Sequence, residues 1–380
     1  MKVLHVMDYL GIHGGLFIFL SNIKKYLENI GFEFFYLAKQ NPPYEIGLKH
    51  YFNVCVAEAG KWKDYVEEIN PDIIHFHDVL EYVDMQWCIE RFTCIRTVHD
   101  NYLFCPYGFF KHNKVCRKND LKECKKNLCL DEDQFLLRQK YINIHKKMAL
   151  ITCLSNSVMK KCITYGFDER KIMKIPALLP EEKILSENES VKYRIIYAGR
   201  VVQSKGVAIL IESLILLKDL DWELFIIGTG EREFVTKLVR KCVTEGIDKR
   251  VHFLGHLEHE KYISMLQTAY LCVFPSIAPE GFGYVPAEAL RSGVPIISFE
   301  SDGNEEWLEN NRNGFIVQWG NKERLSMCLS NLLTDQKLWE KIKKGAILKA
   351  LQLDNIENQV ETIEQMYLDI YNEKIYRSRC

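Results

Sequence analysis

Short runs rich in β-branched and aromatic residues alternate along this chain with longer stretches whose apolar positions recur every three or four residues. Lys2 to Met7 reads as a strand, Gly15 to Asn29 as a helix with Gly31 past its end, and Phe32 to Ala38 as a second strand. The alternation continues through a helix near Lys61 to Asn70, a strand Asp72 to His77, a helix after Val79 and a strand Cys94 to Val98. A helix Asp133 to Ala149, a strand Leu150 to Leu154 and a helix from Ser155 complete this half. Strand then helix, repeated, predicts βαβ units and parallel sheets. Between Pro176 and Ser190 the pattern lapses into a polar, Glu-rich stretch, and it starts afresh with a strand Tyr193 to Ala198. Further strands follow at Glu223 to Ile227, Val251 to Leu254, Leu271 to Phe274 and Val294 to Phe299, and the residues from Asn321 read as three helices. The expected organisation is an α/β domain over 1–178 with a Cys-rich insertion at 100–131, a second over 179–357, and a helix over 358–380 packing back on the N-terminal domain. Two Rossmann-like, doubly wound domains facing an interdomain cleft would take a ligand outside the carboxyl ends of their strands.

Composition narrows the function classes. In 380 residues, 47% apolar and 27% charged describe an ordinary globular protein and exclude a disordered chain or coiled coil. A net charge of -1 gives no support to a nucleic-acid partner. That total conceals a split: residues 1–178 carry 25 basic and 21 acidic residues, the rest 25 and 30. Seven of the basic residues fall between Lys111 and Lys126, a stretch that could rest on an anionic membrane. No stretch approaches the roughly 18 apolar residues of a membrane span. The apolar run after Lys2 is broken by His5 and Asp8, so it reads as a first strand, not a signal peptide. Most of the 13 cysteines stand singly in apolar runs, which fits reduced thiols and a cytoplasmic location, with peripheral contact at the inner face of the membrane as the variant.

The chemistry concentrates in Pro275 to Pro295, where a strand end meets a helix start. Glu280 and Glu288 lie eight apart around Gly281-Phe282-Gly283, with Pro286 expected near the first helical position. Glycines let the backbone approach a ligand, and free amides at a helix start attract phosphate. This stretch resembles the donor-site motif of retaining GT-B glycosyltransferases of family 4. Tyr197-Ala198-Gly199-Arg200 with Lys205-Gly206, Ile226 to Gly230, Val251 to Gly255 and Asn313-Gly314 resemble further blocks of that family in order.

The resemblance implies a fold, an activity and roles. The chain would move a hexose-type sugar from a nucleotide diphosphate sugar to a hydroxyl of a glycan or lipid-linked saccharide, in cell-surface polysaccharide synthesis. Glu288 would hold the nucleotide ribose and Glu280 the transferred sugar; Phe282, Gly283 and Tyr284 would offer backbone amides, with Gly230 in the next glycine turn. Arg200 and Lys205 would stabilise the leaving diphosphate, replacing a divalent ion electrostatically. No metal and no cofactor is therefore assigned, on the expectation that the chain carries no Asp-x-Asp metal motif. Where relatives show Gly-Gly and then Pro-Glu, this chain reads Asp302-Gly303-Asn304-Glu305-Glu306.

On the N-terminal side, Gly14 and Gly15 belong to the loop that in the family faces the donor phosphates and the acceptor. His99-Asp100 resembles the family's His-Asp position, so His99 receives a positioning role. Asp8, His75 and His77 also lie at strand ends, where a structural role is expected. After His99 comes a loop carrying Cys105, Cys116, Cys124 and Cys129 at spacings unlike paired C-x2-C. Three readings stay open there: reduced cysteines, a structural zinc aided by His112, or a disulfide. An NAD-dependent oxidoreductase is disfavoured, because neither glycine turn reads G-x-G-x-x-G. A nucleotide-sugar epimerase and a binding module without catalysis remain the alternatives.

Overall fold

A computed structural model describes residues 1–8, 14–39, 52, 54–56, 61–77, 82–105, 110–111, 114–115, 131–179, 191, 193–353 and 355–379. The chain forms two compact units, the first from residues 1–109, 117–180 and 355–380, the second from 110–116 and 181–354.

The first unit carries a parallel seven-stranded sheet. Its strands are β1 (Lys2–Met7), β2 (Glu33–Ala38), β3 (Val54–Val56), β4 (Ile73–Phe76), β5 (Thr93–Val98), β6 (Leu150–Cys153) and β7 (Ile172–Lys174), in the order β3-β2-β1-β4-β5-β6-β7. The helices are α1 (Gly15–Leu27), α2 (Trp62–Ile69), α3 (Tyr82–Arg91), α4 (Glu132–His145) and α5 (Asn156–Thr164). Central strands such as β4 are buried along their length, as parallel strands covered on both faces must be. Caps set the helix starts: Asp131 and Gln134 form a capping box on α4, and Ser155 accepts from the Val158 amide on α5.

The second unit repeats the plan with six parallel strands. These are β8 (Arg194–Ala198), β9 (Glu223–Ile227), β10 (Val251–Gly255), β11 (Leu271–Phe274), β12 (Ile296–Phe299) and β13 (Gly314–Val317), in the order β10-β9-β8-β11-β12-β13. Its helices are α6 (Val207–Ile215), α7 (Arg232–Thr244), α8 (His259–Gln267), α9 (Tyr284–Arg291), α10 (Asn304–Trp307), α11 (Lys322–Thr334) and α12 (Gln336–Ala350). Alternate strand residues sort into two cores because side chains leave a strand on opposite faces. Ile195, Tyr197, Ile226 and Val273 pack with Leu210 and Leu214 of α6 and Leu329 of α11. Ile196, Ala198, Ile227 and Phe274 pack with Leu266 of α8 and Leu290 of α9.

The last helix, α13 (Ile356–Arg379), returns to the first unit. Ile356, Ile363 and Tyr367 are fully buried, the Gln359 side chain accepts from the Leu179 amide at 3.1 Å, and the Tyr367 hydroxyl lies 2.6 Å from His75 Nδ1.

Five strands among the described residues escape the sequence reading: β3 and β7 have three residues each, β13 has four, and Phe110–Lys111 pairs antiparallel with Lys114–Val115 over two residues each, all too short to establish a period. Pro286 is the third residue of α9 and not the first, because the helix begins at Tyr284, two residues before it; the proline still falls among the orphan amides of the first turn.

Candidate active site

In each unit the strand order reverses direction beside the first strand, and such a switch point opens a crevice at the carboxyl ends of the strands. In the second unit the switch lies between β8 and β11. Tyr197-Ala198-Gly199-Arg200 leaves one strand there and Pro275 to Gly283 leaves the other.

The loops at this edge interlock through the backbone. Gly199 donates to Ile227 O at 2.9 Å and Val201 to Thr229 O at 2.7 Å, binding the β8 loop to the β9 loop. Gly230 permits that approach, since a Cβ there would sit 1.9 Å from Val201 O. Ser204 O accepts from the amides of Ile277 and Ala278, joining the β8 loop to the β11 loop. Gly206 completes the joint: its φ is +70° and a Cβ would lie 1.8 Å from Pro275 O.

On this frame Lys205 Nζ lies 2.5 Å from Glu280 Oε1, and Ser276 Oγ donates to the same oxygen at 2.6 Å. Burial alone would raise the Glu280 carboxyl; the Lys205 charge, the hydrogen bonds from Lys205 and Ser276 and the Arg200 charge outweigh it and hold the group below its ordinary value. Arg200 is exposed, and its carbonyl accepts from the buried Tyr197 hydroxyl at 2.6 Å. Lys205, Arg200 and Glu280 therefore form one electrostatic group at the switch point.

Glu288 points elsewhere. It is 4% exposed, on α9, and accepts from the Tyr262 hydroxyl of α8 at 2.8 Å. Burial first, and then the Glu288 charge, raise the Tyr284 hydroxyl. Gly283 caps α9 at φ +90° without a side-chain hydrogen bond, so no side chain answers the first amides of the helix from that position. The departing Asp302 to Glu306 segment turns out to brace this loop. Ser301 Oγ accepts from the Glu280 amide at 2.8 Å, Gly303 donates to Glu280 O at 3.0 Å, and Trp307 Nε1 donates to Phe282 O at 2.8 Å. Ser276, Tyr262, Ser301 and Trp307 were not singled out from sequence; Ser276 alone carried a signal, as a hydroxyl at a strand end inside the motif.

In the first unit, Gly14 is exposed at φ +102° and caps α1, whose first residue is Gly15. His99 follows β5, and its Nε2 lies 2.9 Å from His77 Nδ1; the Phe19 ring of α1 meets it edge-on at 5.4 Å between centroids. Burial and then the Arg96 charge push the His99 imidazole down to about 3. His77 and His5 are buried behind it and joined at 2.8 Å. Ring nitrogens of His5, His75 and His77 all lie within 4.8 Å of one another. Cys105 is buried, whereas Cys116, Cys124, Cys129, His112 and most of Lys111 to Lys126 lie outside the described residues. Contrary to the expected lack of Asp-x-Asp, the chain carries two such triplets: Asp131, the N-cap of α4, with Asp133 in its first turn, and Asp219 with Asp221, just before β9.

Residues 181–349 match the family described as glycosyl transferases group 1. Over 259 residues the chain is 23% identical to the uncharacterized glycosyltransferase MJ1607 of Methanocaldococcus jannaschii, covering 63% of this chain and 65% of that one. Over 188 residues it is 29% identical to the capsular polysaccharide biosynthesis glycosyltransferase CapM of Staphylococcus aureus, covering 49% and 47%. These matches span less than two thirds of either relative. HepE of Anabaena, solved in complex with UDP, superposes with a TM-score of 0.77 at 17% identity, covering 97% of this chain and all of that one. The second unit thus carries a glycosyl transferases group 1 domain, and the fold is the GT-B fold expected from the sequence.

Proposed function

We propose that the protein is a retaining, metal-independent glycosyltransferase of family 4. It moves a hexose-type sugar from a nucleotide diphosphate sugar to a hydroxyl of a glycan or lipid-linked saccharide in cell-surface polysaccharide synthesis. One observation carries this reading: Lys205, Ser276 and Glu280 are locked together at the switch point of the second unit, with Arg200 near enough to stabilise the Glu280 carboxylate. Cations preorganised in this way can stabilise charge that develops on a departing diphosphate, a task worth about 10²–10³ in turnover per donor group. The α9 amides after Gly283 add a helix N-terminus to the same edge. Glu280, ionised and held by Lys205, is suited to accept hydrogen bonds from sugar hydroxyls; Glu288, oriented by Tyr262, takes the ribose. Roles for Gly14, Gly15 and His99 of the first unit in binding the substrates belong to the same proposal. A nucleotide-sugar epimerase gains no support from the matched family or from CapM. Peripheral contact with anionic membrane through the basic stretch Lys111 to Lys126 belongs to the same proposal, and vesicle flotation with and without anionic lipid tests it.

The activity test is incubation with UDP-, GDP- and dTDP-sugars plus oligosaccharide or lipid-linked acceptors, with and without EDTA. Acceptor-dependent release of nucleoside diphosphate, insensitive to EDTA and giving a product with the donor's anomeric configuration, is the expected result. Inverted configuration would remove the retaining assignment, and interconversion of the nucleotide sugar without transfer would favour the epimerase.

A further inference from the structure

His5 on β1 and His75 on β4 are register partners, so their side chains share a face of the first sheet, and His77 follows two residues after His75. His5 Nδ1 lies 2.8 Å from His77 Nε2, and His77 Nδ1 lies 2.9 Å from His99 Nε2. Three imidazoles therefore run head to tail from the core to His99. His75 stands beside this chain and not in it, because its nitrogens engage the hydroxyls of Tyr367 at 2.6 Å and Thr97 at 2.7 Å.

Burial above all, with neighbouring imidazoles and Arg96 adding to it, holds His5 and His99 down to about 3 and His77 well below its ordinary range. Each ring is neutral near pH 7 and carries one proton. A neutral imidazole donates from one nitrogen and accepts at the other, so the chain of bonds has only two consistent arrangements. Either every proton sits on Nδ1 and the bonds point toward His99, or every proton sits on Nε2 and they point back toward His5.

The two differ at the inner end. Among the described residues, His5 Nε2 is buried with no hydrogen-bond partner. In the second arrangement that atom is an N–H lacking an acceptor; in the first it is a lone pair lacking a donor. Buried orphan N–H groups are the rarer defect in folded proteins, which selects the first. We propose that His5 and His77 are positioning residues that fix His99 as the Nδ1-protonated tautomer. Its Nε2 is consumed by His77, and Nδ1–H faces a ligand as a hydrogen-bond donor to a hydroxyl or phosphate oxygen. A partner nitrogen that dictates the tautomer of a working histidine is a recurrent device. The identity of that oxygen rests on the transferase reading; the tautomer does not.

Nitrogen-15 NMR of histidine-labelled protein near pH 7 tests the tautomer without any activity. The His99 signals are identified by their loss in His99→Gln. The expected spectrum places the proton on Nδ1 of His99 in the wild type. His5→Asn, whose amide N–H can replace Nδ1–H, keeps that signature, whereas His5→Leu releases His77 and moves the His99 signals toward a mixture of tautomers. In the transfer assay His5→Leu lowers kcat about tenfold, the worth of one modest hydrogen bond, and His5→Asn restores it. An Nε2-protonated His99 in the wild type overturns the proposal, as do equal effects of the Leu and Asn variants. Stoichiometric binding of added zinc that shifts the His5 and His77 signals together also overturns it. If His5→Leu fails to fold, the wild-type tautomer decides alone.

Discussion

At the scale of single residues, the site turns on a carboxylate whose environment pulls in two directions. Burial works against ionised Glu280, and the Lys205 ammonium at 2.5 Å with the Ser276 hydroxyl at 2.6 Å works for it more strongly. Because its folded pKa is lowered, Glu280 contributes stability that is present above its unfolded value near 4.5 and is lost as pH falls through the folded value. Lys205→Ala removes the main stabilising charge and leaves the burial. The variant is therefore expected to be less stable than the wild type near pH 7 and to lose less of its remaining stability as the pH falls, so that the two curves converge in thermal melts between pH 7 and 3; parallel curves would show the pair to be inert. The same substitution is expected to lower turnover about 10²- to 10³-fold, with donor binding less affected. Glu288→Ala is expected to divide the other way, weakening donor binding more than turnover, because the ribose contact proposed for that carboxylate, which accepts from Tyr262, would be made alike in the ground and transition states. Both glutamates were singled out in the sequence around Gly281-Phe282-Gly283, and their roles, drawn from the family resemblance, belong to the proposal. Ser276 and Tyr262 were not, since a lone hydroxyl gains a role only from the neighbour that folding supplies.

At the scale of elements, the geometry of the Glu280 loop is set by segments far from it in sequence. Trp307 is almost fully buried and donates to Phe282 O, while a Cβ on Gly303 would fall 2.2 Å from that same oxygen. Trp307→Phe keeps an aromatic ring but leaves a carbonyl without its donor, at a cost of about 1–3 kcal/mol. The expected result is a raised donor KM with a smaller change in kcat; an unchanged KM would mean that the loop holds its shape unaided. Gly206→Ala should be worse, since the added methyl meets rigid backbone at a positive φ, and a lowered Tm would register it. The strand-helix alternation and the main strands could be read from apolar periodicity. The bracing by Ser301 to Trp307 could not: it consists of bonds from a hydroxyl, an indole and one amide to backbone groups more than twenty residues away, and the sequence there departs from the pattern that would have announced it. The short strands β3, β7 and β13 were missed for a related reason, because three or four residues are recognised as a strand only once a neighbour pairs with them.

At the scale of the whole molecule, two units with the same strand order are built from a chain that visits the first unit, forms the second and comes back through α13. The return has measurable content, because Tyr367 fills the first unit's core and bonds His75, although it lies beyond the second unit in sequence. Tyr367→Ala opens a cavity and strands His75 Nδ1, a loss of about 3–5 kcal/mol for an aromatic truncation. In a calorimetric scan that resolves two transitions, this loss should fall on the unit that contains β1 to β7. A nucleoside diphosphate should act on the other one. If Lys205, Arg200 and the α9 amides form the donor site, the ligand binds only the folded second unit and stabilises it by RT ln(1 + [L]/Kd), about 2.7 kcal/mol at a hundredfold excess over Kd. The expected scan of Tyr367→Ala with nucleotide therefore shows the two transitions driven apart, one lowered by the cavity and the other raised by the ligand. Lys205→Ala combined with Arg200→Ala should abolish the rise and leave the cavity effect in place. A nucleotide that raises only the first unit's transition, or raises neither at saturating concentration, would place donor binding outside the switch point of β8 and β11.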